Sequence, residues 1–153
     1  LHPASVSIGL VPAITKLVTT LDGTEADLVV SPDVLALDDL GLGRIPESLR
    51  LSAYRVAEEA ARNASVHGRA EHVHVTLDVA DDDLVVRVAD DGTGFDVATA
   101  AKGLGIHSME ARVASFGGTL EVDTGAGGTT VVARFPLETA EVDLRAGARR
   151  VEA

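Results

Sequence analysis

Ten residues near the middle of the chain have types and a spacing that could do chemistry: Val86-Arg87-Val88-Ala89-Asp90-Asp91-Gly92-Thr93-Gly94-Phe95. Leu84, Val86 and Val88 alternate with other positions, the period of a half-buried strand. Asp90 falls at the end of that strand, where a carboxylate can point into a cavity while its backbone stays in the sheet. Gly92 and Gly94 carry no Cβ, so a flat ligand could lie against the main chain beside them. Taken alone, the same residues also read as a plain Asp-Gly turn. A second group is Glu59, Asn63 and His67, spaced four apart in a segment of helical period, so the three side chains share one face. A carboxylate, an amide and an imidazole in line are dispensable for packing. They read either as a solvated face or as a row directed at a Mg²⁺-nucleotide. Mg²⁺ takes oxygen ligands and keeps waters, so one amide oxygen plus phosphates would suffice. The third group, Gly103-Leu104-Gly105, opens another helical segment whose free N–H groups and positive dipole end suit an anion.

The elements that must hold these groups can be taken in order. Val11, Ile14, Val18 and Leu21 mark a first helix with Pro12 in its first turn and Asp22-Gly23 at its end. Ala26 to Ser31 reads as a strand, and Asp33 to Gly43, acidic and glycine-punctuated, as a loop. The strongest helix runs from Pro46 or Glu47 to His67, closed by Gly68, with Leu49, Ala53, Val56, Ala60 and Ala64 as its apolar stripe. Val73, Val75, Leu77 and Val79 then alternate with His72, His74, Thr76 and Asp78. Asp81-Asp82-Asp83 turns that strand antiparallel into the strand ending at Asp90. His72 and His74 share a face, but with no third ligand in register they are read as a solvent-facing strand rather than a zinc site. After an alanine-rich stretch from Asp96 to Lys102 comes a helix marked by Ile106, Met109, Val113 and Phe116 and closed by Gly117-Gly118. Thr119 to Val122 and Thr129 to Phe135 form a last hairpin, and beyond Pro136 the chain is charged and unpatterned.

Composition narrows the classes. The 153 residues suffice for one domain with a real core, and 46% apolar residues indicate a globular chain. No apolar run is long enough to span a bilayer, and Leu1 opens no signal-peptide pattern. Zero cysteines exclude disulfides and thiolate metal sites, consistent with a cytoplasmic setting. A net charge of −11 argues against nucleic acid as a partner, and 3% aromatic residues leave little for base stacking. A polyphosphate bound by such a chain needs a metal ion to offset repulsion.

In order and spacing these residues resemble the catalytic, ATP-binding domain of bacterial sensor histidine kinases, within the gyrase, heat-shock-90, histidine-kinase and MutL ATPase group, and most closely its DesK and NarX type branch. The resemblance spans roughly residues 25–137. It rests on Tyr54-Arg55-Val56-Ala57-Glu58-Glu59-Ala60-Ala61-Arg62-Asn63 with His67 after it, and on Asp90-Asp91-Gly92-Thr93-Gly94-Phe95. Gly103-Leu104-Gly105 leading into Met109-Glu110-Ala111-Arg112, and Gly127-Gly128-Thr129, complete it. It implies an α+β two-layer sandwich, a mixed and largely antiparallel sheet packed on helices, with ATP and Mg²⁺ as ligands. Asp90 would accept the adenine amino group, and Gly92 and Gly94 would give the ring room. Asn63 would hold Mg²⁺, and Glu59 would assist phosphoryl transfer. Lys102, Gly103, Leu104 and Gly105 would belong to the lid over the phosphates, with Thr129 near the adenine.

The chain departs from that family in two places. Val66 stands where relatives usually carry Lys or Arg, so His67 or Lys102 would have to supply the phosphate contact. None of the five histidines has the acidic successor expected of a phosphoacceptor. The expected organisation is therefore residues 1–24 as the remnant of a dimerisation helix and linker, 25–137 as the catalytic domain, and 138–153 as a charged tail. The expected acceptor is a histidine on a separate dimerisation domain of the same kinase, with a response regulator engaged indirectly and no direct membrane contact. An anti-sigma-type serine kinase and a non-catalytic nucleotide-binding module are the alternatives.

Overall fold

The computed structural model describes residues 8–39, 44–95 and 105–137. Its centre is a five-stranded sheet with strands β1 (Glu25–Val30), β2 (His72–Ala80), β3 (Asp83–Asp90), β4 (Thr119–Gly125) and β5 (Gly128–Pro136), in the order β1-β2-β3-β5-β4. β1 and β2 run parallel and every other pair is antiparallel, so the sheet is mixed and largely antiparallel as expected. The period-two pattern sends Val73, Val75 and Leu77 of β2, Leu84, Val86 and Val88 of β3, and Val131, Ala133 and Phe135 of β5 to one buried face. Asp81 and Asp82 both take positive φ, 53° and 63°, which makes the two-residue β2–β3 turn match the strand twist.

Helices α1 (Leu10–Thr19), α3 (Glu47–Arg62) and α4 (Ile106–Ala114) supply the other half of the core. α3 buries Leu49, Ala53, Val56, Ala57, Ala60 and Ala61. The alanines let its axis approach the sheet closely, because interaxial distance follows side-chain size at the contact. α1 buries Leu10, Ile14 and Leu17 in the same cluster, with Ala13 buried on the helix between them.

The segment expected as a loop contains a short helix, α2 (Pro32–Leu37). Ser31 caps it by accepting from Val34 N at 3.3 Å, and Pro32 occupies the first turn, where its missing N–H costs nothing. Asp38, just beyond α2, accepts from Leu10 N at 2.8 Å and Val11 N at 2.9 Å. A carboxylate from a distant turn thereby caps the otherwise uncapped start of α1. Among the described residues no helix is long and apolar enough to cross a membrane.

Candidate functional site

β3 delivers Asp90 to the rim of the sheet beside the start of β5. Its Oδ1 accepts from Gly92 N at 2.8 Å and from Thr129 N at 3.3 Å. Among the described residues no donor reaches Oδ2, which is left for a ligand. Burial pushes this carboxyl above the usual range, the two backbone N–H groups pull it back, and the neighbouring Asp91 charge raises it again.

The turn after Asp90 is held against two other segments. Gly94 has φ 71°, and a Cβ there would sit 2.1 Å from Gly125 O, so only glycine fits. A Cβ on Gly92 would lie 2.6 Å from Gly68 O. Thr124 Oγ1 accepts from Phe95 N at 3.0 Å and pairs with Thr129 Oγ1 at 2.8 Å, pinning the glycine turn to the β4–β5 hairpin.

The opposite wall comes from α3, which does not run regularly to His67 as expected. From Asn63 to His67 it widens into a π-helical turn, with Gly68 N donating to Asn63 O at 2.8 Å and Ala70 N to Ala64 O at 2.9 Å. Such turns recur at functional sites because they displace side chains from the regular helical spiral. Asn63 is 7% exposed and lines a narrow crevice together with Ala60, Ala64 and Gly68. Asp90, Phe95, Thr129 and Val131 form the facing side.

The remaining expected residues separate. Glu59 is half-buried, its Oε1 lies 3.7 Å from Arg62 Nη1, and it abuts the start of α4. Gly105 stands there with φ 68°, and an added Cβ would meet Glu59 Oε2 at 3.0 Å. His67 is exposed and is not among the crevice-lining residues. Lys102, Gly103 and Leu104 lie outside the described residues, as does the segment from 138 onward.

Three features were not assigned roles from sequence. Phe95 and Gly68 line the crevice, the first inside the quoted motif and the second marked only as a helix stop. Asp91 ties the Asp90 turn to the start of β2, accepting from Glu71 N and His72 N, each at 2.9 Å, while its Oδ2 meets His72 Nδ1 at 2.8 Å. One side-chain ligand atom from each of Glu71, His72 and Asp91 lies within 4.8 Å of the others, and His74 is not part of that group. Both Asp91 oxygens are already engaged by these bonds, and His72 Nε2 lies 3.3 Å from Glu25 Oε2.

Chemically, the crevice offers an unengaged carboxylate oxygen beside glycine backbone at one end and a buried amide at the other. That combination fits a flat heterocycle with an amino donor. The amide oxygen of Asn63 is a hard donor of the kind Mg²⁺ takes.

Residues 49–139 match the family described as histidine kinase-, DNA gyrase B-, and HSP90-like ATPase. A signal transduction histidine-protein kinase/phosphatase DegS from Brevibacillus brevis is 31% identical over 137 residues, covering 88% of this chain and 34% of the relative. The sensor histidine kinase MctS of Rhizobium johnstonii is 36% identical over 87 residues, 54% of this chain and 19% of the relative. Among solved structures, the blue-light activated histidine kinase of Erythrobacter litoralis EL346 superposes with a TM-score of 0.71 at 20% identity, covering 88% of this chain and 43% of that one. The ATP-binding domain of PrrB from Mycobacterium tuberculosis gives 0.57 at 22% identity, covering 81% and 88%. The chain thus spans about a third of the DegS relative's length, and the structural likenesses concern the fold.

Proposed function

The chain belongs to the histidine kinase-, DNA gyrase B-, and HSP90-like ATPase family, and from that premise we propose that it is the ATP-binding catalytic part of a two-component sensor histidine kinase. The observation that carries this reading is Asp90 Oδ2, unengaged among the described residues in a crevice whose other wall is the buried Asn63. Asp90 accepts from the adenine amino group, Gly92 and Gly94 leave room for the ring, and Thr129 holds Asp90 in place. Asn63 holds Mg²⁺, which when bound neutralises phosphate charge. His67, Lys102, Gly103, Leu104 and Gly105 remain candidates for the phosphate end.

The reaction breaks the bond between the γ-phosphorus and its bridging oxygen and forms a phosphorus–nitrogen bond to an acceptor imidazole. Glu59 receives the ring proton. Most of the rate comes from alignment and charge neutralisation, because little covalent chemistry falls to the protein. We place the acceptor on a separate dimerisation domain of the parent kinase, from which a response regulator is phosphorylated in turn, in the cytoplasm.

Labelled ATP tests the reading. The chain alone should stay unphosphorylated, and an added dimerisation domain bearing its acceptor histidine should gain acid-labile phosphate at a rate rising with either partner's concentration. A tethered acceptor would sit at an effective concentration of about millimolar, which the free domain lacks. Acid-labile phosphate on the chain itself, at a concentration-independent rate, would overturn the separate acceptor. Acid-stable phosphate on serine would favour the anti-sigma-type alternative.

A further inference from the structure

The adenine carboxylate is only as well placed as the turn that carries it, and that turn leaves the sheet immediately after Asp90. The last paired residues of the β2–β3 ladder are Val73 and Asp90. Beyond them the backbone bond from Asp91 N to His72 O stretches to 3.4 Å. What replaces the ladder is a side chain. Asp91 Oδ1 accepts from both Glu71 N and His72 N, and Oδ2 receives His72 Nδ1. Two residues on, Thr93 N donates to Gly68 O at 2.9 Å. The segment from Gly68 to His72 follows directly from the π-helical turn that carries Asn63. The two walls of the crevice are therefore fastened to each other through this short segment.

We propose that Asp91 and His72 form a positioning latch that holds Asp90 and its glycine turn in the nucleotide-binding arrangement. The latch rests on the adenine reading of Asp90 and adds residues outside the crevice to it. Neither Asp91 nor His72 lines the crevice, and both side chains are exposed.

The latch is sensitive to protonation. The charged groups facing His72 are Glu25 on β1, Glu71 beside it and Asp91 after β3. The hydrogen bond to Asp91 is the main cause that raises the His72 pKa; desolvation, the next largest, opposes it, and the charges of Asp91, Glu25 and Glu71 add to the rise. Asp91 is held down to about 2, first by the His72 backbone N–H and then by its ring. With the proton on, both ring nitrogens donate, one to Asp91 and one toward Glu25. With it off, only one can donate, and the ion pair with Asp91 becomes a hydrogen bond from a neutral ring to the carboxylate. Because the folded pKa is raised, the latch is strongest below the ordinary histidine range and weakens as pH rises through and above it.

Calorimetry of ADP in EDTA tests this, with chelation keeping metal ions away from Glu71, His72 and Asp91. Asp91→Ala should fold and lose about tenfold in affinity, since apparent affinity scales with the fraction of binding-competent turn. Asp91→Asn keeps an oxygen for the two backbone N–H groups and should recover part of that loss. Wild-type affinity, divided by that of His72→Gln at each pH, should fall about threefold as His72 deprotonates. Wild-type affinity in a folded Asp91→Ala, or a pH-independent ratio, would overturn the latch and leave the adenine reading intact. Failure of the wild-type chain to bind ADP would bring down both.

Discussion

Replacing Asp90 by asparagine separates the binding role of this carboxylate from its structural one. Oδ1 already accepts from Gly92 N and Thr129 N, and an asparagine oxygen can keep both bonds. The change falls on Oδ2, where an acceptor becomes an NH₂ donor facing the amino group of adenine. A hydrogen bond to a charged group is worth about 1.5–3 kcal/mol, so ADP affinity should drop at least about tenfold. The fold should not suffer. Burial raises the Asp90 pKa, meaning that the fold disfavours the ionised form, so the native state holds its proton more tightly than the unfolded chain. The stability cost of ionisation is absent at low pH and develops as pH rises through the carboxylate range. At neutral pH the neutral amide should therefore melt at or above the wild-type temperature. Calorimetry for ADP and thermal unfolding for the fold give the two readings. Undiminished ADP affinity would refute the adenine assignment, and a lowered melting temperature would refute the claim that the fold carries Asp90 at a cost.

Asn63→Ala should weaken ATP binding mainly when Mg²⁺ is present, and an equal loss in EDTA would remove the metal-ligand role. Glu59→Gln should bind ATP with near wild-type affinity and yet fail to phosphorylate a supplied dimerisation domain; transfer at the wild-type rate would show that Glu59 takes no proton. Gly94→Ala forces a side chain into φ 71° against Gly125 O. It should cost about 1–2 kcal/mol from the backbone alone, visible as a lower melting temperature, and an unchanged transition would mean the turn readily rearranges.

What could be read from sequence follows the range of the interactions involved. The β2 and β3 strands were legible because Val73, Val75, Leu77, Leu84, Val86 and Val88 repeat with period two and all face one core. α2 was hidden by its acidic, glycine-punctuated surroundings, although Ser31-Pro32-Asp33 carries the cap, the proline and the first-turn acid of a helix start. The π-helical turn was not legible, since the residues from Asn63 to His67 have no spacing that distinguishes a bond from Gly68 N to Asn63 O from a regular one. Asp90 was found from its motif, whereas Asp91 was passed over within the same motif. Its partners become visible only once the β2–β3 register brings His72 alongside. The expectation of a dimerisation-helix remnant and linker for residues 1–24 gave no sign that Asp38, 27 and 28 positions along the chain from Val11 and Leu10, would tie α1 to α2.

The distribution of charge explains why the two ends of the crevice must work differently. Among the described residues Asp90 is the sole charged one lining it, and the chain as a whole carries −11. Val66, where the resemblance led a cation to be expected, is apolar and 62% exposed. Arg62, the nearest cation along α3, is shared between Glu58 at 3.9 Å and Glu59 at 3.7 Å. The start of α4 would otherwise present a positive dipole end to phosphates, but the Glu59 carboxylate abuts it at Gly105. On the proposed reading, selection therefore rests on hydrogen bonding at the adenine end. The described wall has little with which to attract a triphosphate, so on the proposed reading Mg²⁺ at Asn63 would offset much of the repulsion there. This is why removing Asn63 and removing Mg²⁺ should have effects that do not add.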